Sequence, residues 1–240
     1  MAGHSHWNNI QRRKGAVDKK RAKIWGKIAK KIMVAAKRGG DVNMNLSLRY
    51  IVEEAKAANM PKDTIQKAID KGSGAAGTDD FENVTYEAYG PGGVAMILEA
   101  LTDNRTRTAG DLRTILDKSG GNLATSGAVS FQFSKVGLIL IRSGSTTEEK
   151  LMDVALEAGA QDVINQGEVF EVHTAPTNFH KVKEAIDHAK IAIENAQLTH
   201  IAATYVTPDG DTTTKMNRLL DALDDNDDVQ NVFHNAELPA

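Results

Sequence analysis

Apolar residues recur at helical spacing over residues 18–38, where Ile24, Ile28, Ile32 and Ala35 form one stripe flanked by Trp25, Ala29 and Met33. Lys20, Lys23, Lys27, Lys30, Lys31 and Lys37 fill the other side. Gly39-Gly40 supplies a stop, because a left-handed residue after a helix costs least without a Cβ. A second helix is expected from about Asn45, burying Leu48, Ile51, Val52 and Ala55. Pro61 suits the first turn of a third, with Ile65, Ala68 and Ile69 as its stripe and Gly72 as its end. Three such stripes can bury one another, which predicts a small helical domain behind a basic arm.

Residues 72–80 are small and polar, the composition of a linker. The period then changes to two. Val84, Tyr86 and Ala88 alternate, Gly90-Pro91-Gly92-Gly93 supplies a turn, and an apolar run over 94–101 completes a predicted hairpin. A helix over 107–118, a Gly120-Gly121 stop and a strand over 128–133 are expected next. Residues 136–203 read as β-α-β-β-α-β, the order of a ferredoxin-like unit. The last helix, over 213–224, and the strand over 229–234 lack partners in their own stretch, so they are expected to return to the unit at 81–135. The expected fold class is α+β: a helical domain at 1–78, a discontinuous α/β domain at 79–135 plus 204–240, and an inserted ferredoxin-like domain at 136–203.

The 240 residues are 41% hydrophobic and 25% charged, an ordinary globular balance. Aromatics at 5% argue against aromatic-lined sugar clefts or single-strand platforms as the main device. The absence of cysteine excludes disulfides, thiolate catalysis, iron–sulfur clusters and cysteine-ligated zinc. The net charge of −3 conceals a division. Residues 1–78 carry 17 Lys and Arg against 6 Asp and Glu, while the remainder carries 12 against 26. A cationic module on an acidic body points to a polyanion, nucleic acid first. No stretch approaches the roughly 18 apolar residues of a membrane span. The apolar stripe of the basic helix is needed for its own bundle, so no membrane partner is expected. An acid-poor, basic start resembles a mitochondrial presequence, but serine is scarce there and a cytoplasmic protein is the simpler expectation.

The candidate phosphate-contacting residues follow from this charge. Arg12, Arg13 and Lys14, then Lys19, Lys20 and Arg21, then Lys23, Lys27, Lys30 and Lys31 would neutralise phosphates and position the protein without reading bases. His4, Trp7 and Asn9 precede them, and Trp7 either stacks on an unpaired base or packs on the bundle. Arg105 and Arg107 fall at a helix start capped by Thr106 or Thr108. Cations are unfavourable there unless an anion joins them, which means a second phosphate contact or an internal carboxylate.

Other patterns lead to less. Gly72, Gly74 and Gly77 spell G-x-G-x-x-G, but a helix precedes them, so they read as linker. The run Asp224-Asp225-Asn226-Asp227-Asp228 opens like a calcium loop. It has Val229 where glycine is needed and Asn235 where glutamate is needed, and reads instead as an acidic turn that repels phosphate or meets a basic protein. Ala2-Gly3-His4, with a free amine, would offer a nitrogen set for Cu(II) or Ni(II), without an evident role. The seven histidines form no zincin motif, and no nucleophile elbow or P-loop occurs, so no enzyme, cofactor or metal is expected.

Several separated motifs carry a resemblance: Ala2-Gly3-His4-Ser5-His6-Trp7-Asn8-Asn9-Ile10, Arg12-Arg13-Lys14, Asn59-Met60-Pro61-Lys62-Asp63, Tyr86-Glu87-Ala88-Tyr89-Gly90-Pro91, Leu101-Thr102-Asp103-Asn104-Arg105 and Asp227-Asp228-Val229-Gln230-Asn231-Val232. In this order and over essentially the whole chain they resemble the YebC/PmpR family. The departures are small: His6 where lysine is common, and Ala88 and Ala124 where glycine is common. The resemblance implies a helical domain followed by two ferredoxin-like domains, and a non-enzymatic regulator of gene expression. It implies DNA as the partner in transcriptional regulators, or ribosomal RNA and the ribosome in relatives that resemble translational activators. The acidic α/β domains would be available to a protein partner.

Overall fold

A computed structural model describes residues 17–74 and 81–239, with side chains from residue 21 onward. Helix α1 (Val17–Ala36), α2 (Leu46–Ala57) and α3 (Lys62–Ser73) share a core of Ile28, Ile32, Leu48, Val52, Ile65 and Ile69. Asn45 links the first two. Its Oδ1 accepts from the Leu48 N–H at 3.1 Å to cap α2, and its amide donates to the carbonyls of Ala35 and Gly39 at 2.8 Å. Pro61 lies just outside α3, as its N-cap.

Gly72 does not end α3. It is a buried helical residue, and a Cβ there would lie 2.4 Å from the Met33 carbonyl oxygen and 2.8 Å from the Ala36 Cβ. The missing side chain lets α3 cross α1 backbone to backbone, and the helix runs one residue further, to Ser73.

Strands β1 (Glu82–Tyr89) and β2 (Ala95–Thr102) form the predicted hairpin, with Glu82 opposite Thr102 and Tyr89 opposite Ala95. Helix α4 (Arg105–Lys118) and the two-residue β3 (Asn122–Leu123) follow. The strand expected over 128–133 does not form there; only Phe133 is extended, as the first residue of the next strand. The Gly127 N–H donates to Glu87 at 2.7 Å, the Tyr89 hydroxyl donates to the Ala128 carbonyl at 3.1 Å, and Gly127 has φ +88°. These contacts bind the segment to β1 as a loop, a 3-10 turn occupies Ser130–Gln132, and β4 (Phe133–Arg142) begins afterwards.

Helix α5 (Glu148–Glu157), β5 (Ala160–Asn165), β6 (Val169–Thr174), α6 (Phe179–His188) and β7 (Asn195–Ala202) complete a ferredoxin-like sheet in the order β5-β6-β4-β7, antiparallel throughout. Ile139, Ile141, Phe170 and Val172 meet Leu151, Ala155, Val182 and Ile186 across that layer. Helix α7 (Gly210–Asp224) and β8 (Val229–His234) return to the first sheet, whose order is β3-β1-β2-β8. The spatial order is again ferredoxin-like, but the hairpin strand β1 comes first in the chain. Leu112 and Leu116 of α4 and Met216, Leu219 and Leu223 of α7 are fully buried. The fold is therefore α+β, with a helical bundle and two four-stranded sheets. Contacts divide the chain into two compact units, one running to Ala128 and resuming over Pro208–Val232, the other comprising Val129–Thr207 and the segment from Phe233.

Candidate nucleic-acid interface

The lysines of α1 recur at i, i+4 and i+7, which aligns Lys23, Lys27 and Lys30 on one face. Within the first unit that face meets the C-terminal end of α7. This end needs cations. The last carbonyls of a helix lack partners and carry partial negative charge, α7 has no basic residue in its last turn, and Asp224, Asp225, Asp227 and Asp228 add four carboxylates. Lys23 Nζ reaches Asp225 Oδ1 at 2.9 Å and the Asp225 carbonyl at 3.2 Å. Lys27 Nζ reaches the Asp224 carbonyl at 2.8 Å and its carboxylate at 3.4 Å. Lys30 Nζ reaches the Asp227 carbonyl and Asp228 Oδ1, both at 3.0 Å. Three ammonium groups from one helix thus close the end of another.

Asp228 sits at the centre of a second set of donors. It is 6% exposed, and its Oδ2 accepts from Arg107 Nη2 at 3.0 Å and Thr108 Oγ1 at 2.9 Å. Burial pushes its carboxyl toward the neutral form, but hydrogen bonds from Arg107, Lys30 and Thr108 outweigh that and hold it below the ordinary aspartate range. Arg107 also pairs with Asp103 at 2.6 Å, and its guanidinium is held more firmly protonated, chiefly by Asp228. Arg105 grips Glu82 in bidentate fashion, with the Nη2–Oε2 contact at 2.6 Å; this lowers the Glu82 carboxyl and raises the guanidinium.

The cap of α4 is Asn104, whose Oδ1 accepts from the Arg107 N–H at 3.0 Å. It is neither Thr106 nor Thr108. Thr108 is fully buried, and its hydroxyl faces inward, donating to Asp228 and accepting from the Thr102 hydroxyl. The anion required beside cations at this helix start is the chain's own carboxylate.

The structure therefore gathers Lys23, Lys27, Lys30 and Arg107 around residues 224–228. Lys31 lies apart, on Glu54 at 2.9 Å, and Arg105 lies on Glu82. Arg21 is exposed on α1. Lys19 and Lys20 belong to α1, but their side chains are outside the described residues, as are His4, Trp7, Asn9, Arg12, Arg13, Lys14 and the Ala2-Gly3-His4 set. The acidic turn, read in sequence as repelling phosphate or meeting a basic protein, meets the basic helix of its own chain. The signal for this was four aspartates at the unfavourable end of a helix with no cation in its last turn. Among the described residues no group of three or more metal-binding side chains forms, and no helix is long and apolar enough to cross a membrane.

Residues 5–75 match the TACO1/YebC protein N-terminal domain, and residues 81–236 match the TACO1/YebC second and third domain. The chain is 50% identical over 240 residues to a probable transcriptional regulatory protein of Clostridium beijerinckii, covering all of this chain and 98% of the other. It is 47% identical to a probable transcriptional regulatory protein of Geobacillus kaustophilus, covering 99% and 98%. Among solved structures, a conserved hypothetical protein of Aquifex aeolicus is 41% identical and superposes with a TM-score of 0.81 over 93% of each chain.

Proposed function

The chain belongs to the TACO1/YebC family, and from that premise we propose that it is a non-enzymatic, cytoplasmic regulator of gene expression that binds nucleic acid through its basic N-terminal region, with duplex DNA as the target. The observation that carries the reading is the segregation of charge, 17 cationic against 6 anionic residues over 1–78 on a body of 12 against 26. The curated relatives above, named as probable transcriptional regulators, support it. On this reading Arg12, Arg13, Lys14, Lys19, Lys20 and Arg21 meet phosphate first. Lys23, Lys27 and Lys30 join only by leaving Asp224, Asp225 and Asp228, so the acidic turn competes with the nucleic acid for one helix face.

A second reading has ribosomal RNA as the polyanion. It is favoured by Trp7 between His4 and Asn9, because an indole ahead of a cationic run suits stacking on unpaired bases. One pair of measurements tests both. If about six phosphates are neutralised, log K for duplex DNA falls with log salt at a slope of about −5. A full-length chain that binds neither duplex DNA nor structured RNA at low salt overturns the proposal. In cells, crosslinking with gradient sedimentation decides the target: recovery with chromatin is expected, and co-migration with ribosomes without chromatin moves the function to RNA.

A further inference from the structure

Lys23, Lys27, Lys30, Lys31, Arg105 and Arg107 are held by carboxylates in ion pairs, whereas the α/β body holds a group of cations that no ion pair closes. A concavity of about 410 Å³ lies where the Pro91-Gly92 turn, the end of α4 and the first three turns of α7 meet, lined by Lys118, Ser119, Gly120, Thr212, Lys215 and Arg218 together with that turn. Three cations line it and no carboxylate does, in a body where acids outnumber bases 26 to 12. Among the described residues Lys118, Lys215 and Arg218 make no ion pair and no side-chain hydrogen bond, and the carboxylate whose charge Lys215 feels is that of Asp209.

The concavity is built by the fold. Lys215 and Arg218 are the only cations of α7 and stand three residues apart, on one face. Lys118 is the last residue of α4. Gly92, with φ +70°, lets the turn press against α7: a Cβ there would lie 2.8 Å from the Thr212 Cγ2. The nearby Asp209 carboxylate is occupied as the cap of α7: it accepts the Thr212 N–H at 2.7 Å and the Thr212 hydroxyl, and these bonds, with the charge of Lys215, hold it below the ordinary aspartate range. The Ser119 hydroxyl donates to the Ile115 carbonyl and the Thr212 hydroxyl to the Asp209 carboxylate, which leaves the three cations as the donors of the lining.

We propose that this concavity is a phosphate-binding site for the backbone of the nucleic acid, formed by Lys118, Lys215 and Arg218. This rests on the functional reading above and adds a contact on the α/β body, separate from the N-terminal region. Converging ammonium and guanidinium donors are the chemistry that phosphodiester oxygens accept. The site lets the acidic body hold the strand that the basic head recruits.

The test uses the full chain, a 20-base-pair duplex and an RNA stem-loop, with binding measured across a salt series. The variant Lys118→Ala/Lys215→Ala/Arg218→Ala is compared with Lys150→Ala/Lys181→Ala/Lys183→Ala, which removes the same charge from the other unit. All six positions lie outside the buried core, and thermal melts check that both variants fold. The expected result is a salt slope shallower by about 2 to 3 on duplex and affinity at least about tenfold weaker at moderate salt for the first variant. The second should stay within about threefold of wild type. Restoring charge with Lys118→Arg/Lys215→Arg/Arg218→Lys should recover most of the slope. If the wild type binds and the first variant matches the second, the site is overturned and the function stands. If the wild type binds neither polyanion, both fall.

Discussion

At the scale of the residue, Asp228 decides most. Its nearly buried carboxylate is shared by Lys30, Arg107 and Thr108, so its folded proton affinity is below that of the unfolded chain. Its contribution to stability is therefore fully present above the ordinary aspartate range, about pH 4, and is lost as pH falls through the lower folded value. Urea melts taken from about pH 7 to about pH 3 should show the wild type losing stability below about pH 4. Asp228→Asn should flatten that limb and, at neutral pH, lose about 2–3 kcal/mol. Removing one partner of a buried pair leaves the others uncompensated, and the partial exposure of Lys30 and Arg107 reduces the loss. Gly72 makes the complementary case in packing. Gly72→Ala favours helix by propensity, but its Cβ would meet the Met33 carbonyl at 2.4 Å. Since backbone has to move, denaturation should show a loss of about 2–3 kcal/mol, where a solvent-facing glycine in a helix would gain stability.

At the scale of the element, the pairing of α1 with the end of α7 shows what a sequence pattern can and cannot reach. The stripe of Ile24, Ile28, Ile32 and Ala35 identified α1 and its buried face, because helical period is a local property. The occupant of the lysine face was not legible, since the acidic turn lies about 200 residues away and nothing in either pattern names the other. The same limit explains the loop over 128–133: its alternation is strand-like, but Glu87 and Tyr89 of β1 hold it elsewhere. It also bears on the cap of α4: the helix begins at Arg105, earlier than expected, so Asn104 is the cap and Thr106 and Thr108 lie inside the helix. The charge contact makes a prediction. Exposed ion pairs contribute little to stability, so Asp224→Asn/Asp225→Asn should leave the melting temperature nearly unchanged. It should nonetheless tighten nucleic-acid binding by about fivefold in a gel shift, because Lys23 and Lys27 no longer have to leave a carboxylate. Weaker or unchanged binding would mean that this face of α1 never meets phosphate.

At the scale of the whole molecule, the sequence showed more of the architecture than of the interface. An unpartnered helix and strand at the C-terminal end implied a return to the first sheet, and β8 lies beside β2. The concavity was not legible, because Lys118, Lys215 and Arg218 come from two helices about 100 residues apart and read singly as solvated surface. What the assembled groups have in common is that they suit phosphate and not base edges. The most cationic helix turns its regular lysine face to carboxylates, and the concavity offers point charges in a hollow, not a helix to lie along a major groove. Backbone contacts position a protein and carry no sequence information by themselves. Competition binding at fixed salt should therefore find a promoter duplex and its scrambled counterpart within about threefold of each other, far from the thousandfold or greater ratios of base-reading proteins. Lys23→Ala/Lys27→Ala/Lys30→Ala should weaken both duplexes alike. A ratio above about a hundred would mean that base edges are read and would overturn this account of recognition by charge alone.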